Sequence, residues 1–258
     1  MKSSFRLFLI PLMAMLWCST QGQSSLFSYE SYVSAEGDTL PYRMLLSDYD
    51  TSSAYPMVIF LHGSGERGKN NESQLKWGAM NFATNEVMKN YRPIVIAPQM
   101  NYGERWDNLT EEGNFQDTPS LSMKLLKGLI DQLLGTMPID KNRVYITGMS
   151  MGGFGTYDAI MRYPDLFAAA VPVCGGGDPK MAESISHIPM WIYHGAQDDV
   201  VPVSFSHDMV KALTEAGANP GYTQYPLAGH FAWVAAYDDD MLMPWLFSQR
   251  KKDSSNQE

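Results

Sequence analysis

The sequence predicts an α/β protein with a mostly parallel central sheet, an antiparallel N-terminal edge and helices on both faces. From residue 56 onward, short strand-like segments alternate with longer helix-like segments, which is the order expected of parallel βαβ units. Before them, two strand-like segments flank the turn Ala35-Glu36-Gly37-Asp38. These two observations predict a two-stranded antiparallel edge joined to a parallel sheet.

Each strand is expected where a short run is apolar or alternates in polarity. The edge strands are expected near 28–34 and 39–47, followed by strands near 57–61, 93–97, 143–147, 168–173, 189–193 and 222–226. Helices are expected between them, near 73–84, 119–135, 152–162, 203–216 and 232–248. Little sequence separates the 152–162 helix from the 189–193 strand, so we expect no inserted lid domain and a site open to solvent.

The N-terminus has the character of a secretory signal peptide. Basic Lys2 and Arg6 precede the apolar stretch 7–17, which is too short to span a bilayer stably, and small or polar residues follow. Cleavage after Gly22 leaves residues 23–258 as one catalytic domain without an integral membrane segment, in the periplasm or secreted. Lipid attachment at Cys18 is the alternative, although bulky Trp17 occupies a position where a small residue is preferred.

Composition is that of one globular domain: 258 residues, 45% hydrophobic, with a formal net charge of −9. Removing Lys2 and Arg6 leaves 17 basic and 28 acidic residues, a net charge of −11, which argues against nucleic acid and anionic membranes as partners. The remaining Cys174 cannot form an intramolecular disulfide and is expected to be a buried packing residue. The five histidines form no cluster with metal-ligand spacing, so we expect neither a metal nor a cofactor.

The segment 148–152 reads Gly-Met-Ser-Met-Gly and directly follows a strand-like run. A Gly-x-Ser-x-Gly at a strand-to-helix turn is a nucleophile elbow, in which a strained turn lifts the serine hydroxyl clear of the sheet. Only small residues fit at 148 and 152, because strand and helix nearly touch there. The motif predicts Ser150 as a nucleophile that needs a general base, and the backbone N–H of Met151 as one oxyanion-hole donor.

Several other motifs accompany the elbow and extend over about residues 55–247. They are Leu61-His62-Gly63-Ser64-Gly65-Glu66-Arg67-Gly68, Ala97-Pro98-Gln99, Arg105-Trp106, the stretch from His194 to Pro202, and Gly229-His230-Phe231-Ala232-Trp233. With them the sequence resembles small bacterial α/β-hydrolase esterases and predicted peptidases. Relatives of that kind include polyhydroxybutyrate depolymerase-like, feruloyl-esterase and acetylxylan-esterase proteins and the catalytic domains of prolyl oligopeptidases.

The resemblance implies a triad in the chain order serine, acid, histidine. It places the acid at Asp198, with the neighbouring Asp199 as the alternative, and the general base at His230. It also implies that Ser64, the residue after His-Gly, supplies the second oxyanion-hole N–H. His62 and His194 are interpreted as structural residues beside the site.

The substrate is expected to contact aromatic residues near the carboxyl edge of the sheet. Tyr102 and Trp106 lie in the long segment 99–118, and Trp77 and Trp233 are expected to extend the wall; the competing interpretation is that these rings only pack the loops down. Together with export and an open site, the resemblance implies an esterase acting on short-chain acyl or hydroxycinnamoyl esters, either small molecules or groups linked to polysaccharide. A prolyl-oligopeptidase-type serine peptidase and a non-catalytic binding protein are the alternatives. The oligomeric state is left open.

Overall fold

A computed structural model describes residues 24–46, 52–110 and 112–251. Eight strands form a single sheet in the spatial order β1-β2-β4-β3-β5-β6-β7-β8. Strand β1 pairs antiparallel with β2, and β2 pairs antiparallel with β4, whereas all other pairs are parallel. The strands are β1 Phe27–Val33, β2 Thr39–Leu45, β3 Tyr55–Leu61, β4 Ile94–Pro98, β5 Ile139–Met149, β6 Ala169–Val173, β7 Trp191–Gly195 and β8 Gly221–Tyr225.

Helices cover both faces of this sheet. They are α1 Asn85–Asn90, α2 Leu121–Thr136, α3 Met151–Arg162, α4 Ala182–Ile185, α5 Ser204–Glu215, α6 Trp233–Tyr237 and α7 Leu242–Ser248. Short 3-10 helices occupy Ser64–Glu66, Ser73–Leu75, Ala79–Ala83, Pro179–Met181 and His230–Ala232. The predicted fold class, the antiparallel N-terminal edge and the helices on both faces are confirmed.

Strand β3 is almost entirely apolar because both of its faces are buried. Every residue of β3 is buried, and its side chains alternate between two separate cores. One core, which contains Met57, Ile59 and Leu61, packs against α2, α3 and α5; the other, which contains Val58 and Phe60, packs against α1, α6 and α7.

Two predicted helices differ from the observed ones. The predicted helix 73–84 is instead two short 3-10 segments, and α1 follows only after Thr84, whose side chain accepts a hydrogen bond from the N–H of Val87. The predicted helix 232–248 is interrupted between α6 and α7. There the carboxylate of Asp239 accepts hydrogen bonds from the Met241 N–H and the Tyr193 hydroxyl, because short acidic side chains compete for backbone donors.

The segment between the elbow and the acid strand contains no lid domain. Residues 151–190 are all described, and after α3 they form only β6, one 3-10 turn and the four-residue α4. The predicted signal peptide and the alternative lipid site at Cys18 lie outside the described residues. Among the residues that the structure does describe, no helix combines the length and apolar character needed to cross a bilayer.

Candidate active site

The predicted catalytic residues follow four parallel strands at the same edge of the sheet. Ser64 comes after β3, Ser150 after β5, Asp198 after β7 and His230 after β8. The carboxyl ends of parallel strands meet at one edge, and this is where ligands bind in open α/β sheets. Residues separated by up to 166 positions in the sequence are therefore brought together.

Ser150 occupies a strained backbone conformation between β5 and α3. Its φ is 54° and its ψ is −120°, and its N–H donates to the carbonyl of Val173 at 2.9 Å. The two flanking glycines allow this turn: a Cβ on Gly148 would collide with the Gly152 carbonyl oxygen, and a Cβ on Gly152 would collide with that of Leu61. The serine hydroxyl is thereby presented at the edge of the sheet.

The three triad side chains form a continuous hydrogen-bonded chain. Ser150 Oγ lies 2.8 Å from His230 Nε2, and His230 Nδ1 lies 2.8 Å from Asp198 Oδ2. Because a carboxylate can only accept, Nδ1 carries the proton and Nε2 is left to accept the serine hydroxyl proton. This is the tautomer that a general base requires.

Asp198 is held as a buried anion. Its side chain has no exposed surface, and burial alone would raise its pKa. Hydrogen bonds from His230 and from the N–H groups of Val201 and Val200, at 2.8 and 3.0 Å, outweigh burial and leave the pKa of Asp198 below its ordinary value. Asp199 is exposed, so the neighbouring carboxylate does not compete for this position.

His194 contacts the same carboxylate oxygen as His230. Its Nε2 lies 3.0 Å from the Val201 carbonyl and 3.3 Å from Asp198 Oδ2, while Nδ1 lies 2.7 Å from the Ser206 hydroxyl. Burial lowers the pKa of His194, which favours the neutral ring. His194 therefore positions the triad acid without adding charge.

Both predicted oxyanion-hole donors are the first residues of helical turns. Ser64 begins the 3-10 helix Ser64–Glu66, and Met151 begins α3. N–H groups at the first position of a helix have no acceptor within that helix. Both groups are therefore free to point toward a ligand oxygen beside Ser150.

His62 fixes the peptide group that carries the Ser64 N–H. His62 Nε2 accepts the Met100 N–H at 3.2 Å, so Nδ1 bears the proton and donates to the Gly63 carbonyl at 2.6 Å. The Glu66 N–H donates to the same carbonyl at 3.3 Å. In a trans peptide the C=O and N–H groups point in opposite directions. The hydrogen bonds that hold the Gly63 carbonyl oxygen therefore also fix the Ser64 N–H, which points away from His62 Nδ1. Burial lowers the pKa of His62 to about 4, so the ring stays neutral.

Trp106 is a packing residue, and the expectation that it contacts substrate is wrong. It has no exposed surface, its indole N–H donates to the His62 carbonyl at 3.1 Å, and its ring meets the His62 ring edge-on. An indole buried beneath the oxyanion loop cannot reach a ligand. Its position instead supports the backbone at His62.

The other three predicted aromatic residues occupy different surroundings. Tyr102 is 77% exposed, and its hydroxyl lies near Gly68 at the far end of the oxyanion loop. Trp77 and Trp233 lie closer to the triad, since both contact the exposed ring of Phe231, with centroid distances of 6.1 and 4.7 Å. Trp233 also packs edge-on against His230 at 5.0 Å.

Glu66 is a site residue that the sequence reasoning did not single out. A Cβ built on Gly63 would lie 3.1 Å from Glu66 Oε2 and 3.6 Å from Ser150 Cβ. Burial raises the pKa of Glu66, despite the nearby Lys76 ammonium and hydrogen bonds from backbone N–H groups and the Trp77 indole. The sequence feature that could have indicated Glu66 is its position as an acidic residue within the glycine-rich loop 63–68.

Cys174, His194 and Asp198 place one potential metal-ligand atom each within 4.8 Å of one another. The triad accounts for this proximity, because the Asp198 carboxylate already accepts from His230. Burial raises the pKa of Cys174 to about 12, which opposes formation of the thiolate that a metal would need. The chemistry of these donors therefore fits a metal poorly.

Comparison with known proteins agrees with the geometry. A poly(3-hydroxyalkanoate) depolymerase C from Paucimonas lemoignei is 30% identical over 124 residues, which is 47% of this chain and 28% of that protein. A bifunctional acetylxylan esterase/xylanase from Neocallimastix patriciarum is 29% identical over 147 residues, 57% of this chain and 20% of that protein. This chain thus spans less than a third of either relative.

Similarity to a solved structure covers more of the chain. The crystal structure of a thermostable esterase is 37% identical, with a TM-score of 0.83 over 88% of this chain and 64% of that one. The model of the phospholipase/carboxylesterase family matches residues 49–239, which include the elbow, the acid loop and His230. This chain belongs to the phospholipase/carboxylesterase family of α/β-hydrolases.

Proposed function

We propose that this protein is an exported serine carboxylesterase that cleaves short-chain acyl or hydroxycinnamoyl esters attached to carbohydrate. The observation that carries the proposal is the unbroken chain from Ser150 through His230 to Asp198, with two contacts of 2.8 Å. The similarity to an acetylxylan esterase and to a thermostable esterase supports an ester as the substrate.

In the first half of the reaction the serine is acylated. Ser150 Oγ attacks the ester carbonyl carbon while His230 Nε2 takes the hydroxyl proton, and the imidazolium is stabilised by Asp198. The carbonyl oxygen becomes an oxyanion that accepts from the N–H groups of Ser64 and Met151, each worth about 10²–10³ in rate. Collapse expels the alcohol oxygen, which takes the proton from His230.

The second half releases the acid. Water replaces the alcohol, His230 Nε2 takes one of its protons, and the resulting hydroxide attacks the acyl carbon. A second oxyanion forms at the same two N–H groups. Its collapse breaks the bond to Ser150 Oγ, which recovers its proton from His230. The residues required for the two halves are the same.

The test is a substrate panel with a nucleophile control. Purified protein is assayed with p-nitrophenyl acetate, methyl ferulate and an aminoacyl-anilide, alongside Ser150→Ala. We expect turnover of the two esters and little of the anilide, with Ser150→Ala reduced by about 10⁴-fold or more and unchanged in circular dichroism. Preferred cleavage of the anilide would favour a peptidase, and activity retained by Ser150→Ala would exclude this serine as the nucleophile.

A further inference from the structure

A cavity of about 1110 Å³ borders the catalytic base without containing any triad residue. It is lined by three chain segments that are distant in sequence, within 24–29, 72–81 and 233–238, together with Arg43. Trp233 connects the cavity to the site, because it lines the cavity and also packs against His230. The cavity therefore lies one side chain away from the His230 ring.

The cavity is much larger than a short acyl group needs. Small-molecule pockets are typically about 300–1,000 Å³, so this volume can hold a ligand larger than acetyl or feruloyl alone. In an ester, the remaining bulk belongs to the alcohol. The size of the cavity thus favours the leaving group as its occupant.

The charges around the cavity balance. The described lining residues include two basic side chains, Arg43 and Lys76, and two acidic ones, Glu72 and Asp238. The cavity lining is therefore neutral overall, whereas the whole chain has a net charge of −9. Arg43 is buried, and its guanidinium donates to the backbone carbonyls of residues 24, 27, 28 and 71. It is therefore engaged in structure and is not a free receptor for anions. This lining suits a neutral ligand.

Aromatic faces alternate with polar groups along the same walls. Tyr29 is 59% exposed and has the Arg43 guanidinium 3.7 Å from its ring centroid, while its hydroxyl donates to Glu72 at 2.6 Å. Trp77 is partly exposed beside Phe231. A saccharide presents C–H faces to rings and hydroxyls to polar side chains, whereas a fatty acyl chain needs a continuous apolar lining.

We infer that this cavity binds the neutral saccharide part of the substrate, the sugar units next to the esterified one. The inference rests on the proposed function and adds the site that recognises the alcohol. Trp77 and Trp233 lie at the end of the cavity near the triad, and Tyr29 and Glu72 lie on the walls formed by the antiparallel edge and the 72–81 segment.

The test compares a substrate that reaches the cavity with one that does not. The kcat/KM for an acetylated xylo-oligosaccharide is divided by that for p-nitrophenyl acetate, in wild type, Tyr29→Ala and Glu72→Ala. Val33→Ala is the matched control, because Val33 lies on the same strand, is 58% exposed and does not line the cavity. We expect Tyr29→Ala to lower the ratio about fivefold or more through KM, Glu72→Ala to lower it less, and Val33→Ala to leave it within about twofold.

Saturation-transfer NMR with the unesterified xylo-oligosaccharide gives a second readout that is independent of catalysis. We expect transfer to the sugar in wild type and in Val33→Ala, and weaker transfer in Tyr29→Ala. An unchanged ratio in Tyr29→Ala, or no transfer in wild type, would overturn the saccharide site even if p-nitrophenyl acetate is hydrolysed. A wild type that cleaves no ester but still gives transfer would instead refute the proposed function.

Discussion

At the level of single residues, two histidines share the same tautomer but have different partners at Nε2. Both His230 and His62 donate from Nδ1, to Asp198 and to the Gly63 carbonyl respectively. His230 Nε2 faces Ser150 and is available as a base, whereas His62 Nε2 is occupied by the Met100 N–H. The second partner of each ring thus separates the proposed general base from a positioning imidazole.

Substituting the two neighbouring aspartates should separate the triad acid from its neighbour. Asp198→Asn should lower kcat by about 10⁴-fold, because the amide cannot stabilise the imidazolium and favours the wrong tautomer. Asp199→Asn is the matched control and should change kcat by less than about threefold, since Asp199 is exposed. The measurement is steady-state turnover of p-nitrophenyl acetate, and the reverse ranking would move the acid by one residue.

His62 should contribute to the loss of stability in acid. Burial lowers its folded pKa to about 4, so between pH 6.5 and 4 the unfolded chain binds a proton that the folded chain does not. Its contribution is complete above about pH 6.5 and is lost as the pH falls, by about 3 kcal/mol at pH 4.

The comparison is made by urea unfolding of wild type and His62→Asn at pH 7 and pH 4.5. Wild type should lose more stability between the two pH values than the variant, since the lowered pKa of His194 affects both proteins equally. Equal losses would show that His62 titrates normally. We also expect lower kcat in His62→Asn at pH 7, because the Ser64 N–H loses its support.

At the level of secondary-structure elements, the close crossing of β3, β5 and α3 determines where Ser150, the proposed nucleophile, lies. The helix begins immediately after Ser150, and the backbone of its second residue approaches the end of β3. This contact forces the positive φ at Ser150 and places the Met151 N–H beside the serine. One packing arrangement thus positions both Ser150 and the Met151 N–H, the proposed nucleophile and one proposed oxyanion-hole donor.

Two glycine substitutions should test this crossing. Gly152→Ala should destabilise the fold by about 3 kcal/mol or more and reduce activity, because its Cβ would meet the Leu61 carbonyl. Gly135→Ala in α2 is the control: nothing lies within 4 Å of its Cβ, so greater helix propensity should stabilise the protein by about 0.5 kcal/mol. Thermal unfolding measures both, and a Gly152→Ala protein as stable as wild type would refute the close approach.

For the whole molecule, the open edge of the sheet is the feature from which we predict the range of substrates. No domain is inserted between α3 and β7, so no enclosed apolar tunnel is built over Ser150 from that segment. The space beside the triad is instead the mixed polar and aromatic cavity next to Trp233. Under the proposed function, we expect such a site to favour compact acyl groups on bulky alcohols.

Acyl length should therefore limit the rate. Across p-nitrophenyl esters, kcat/KM should be highest for short acyl chains and should fall for acyl chains of about twelve carbons or more. The reason is that the described segment between α3 and β7 builds no apolar tunnel to contact a long acyl chain. EDTA should leave these rates unchanged, since the triad and two N–H groups supply nucleophile, base and oxyanion hole. A steady rise with chain length would indicate a lipase, and loss of activity in EDTA would indicate a metal-assisted enzyme.

Much of the fold and the triad could be predicted from local patterns. Apolar runs mark buried parallel strands, and Ser150 and Asp198 each come after such a strand. His230 comes after the more polar, partly exposed β8, and the parallel topology brings all three residues to one edge. The interruption at Asp238–Met241 could not be predicted from periodicity, because the apolar spacing continues across it. The side-chain bond from Tyr193 to Asp239, which accompanies the break, joins residues 46 positions apart.

Burial of individual side chains was decided only by the tertiary structure. Trp106, Trp77 and Trp233 look alike in sequence, yet the first is covered on all sides while the other two line a cavity made of three distant segments. Glu66 likewise belongs to the site only because its carboxylate meets Gly63 beside Ser150. The positions of the strands along the chain follow from short-range polarity patterns, whereas the surroundings of a side chain depend on contacts between residues far apart in the chain.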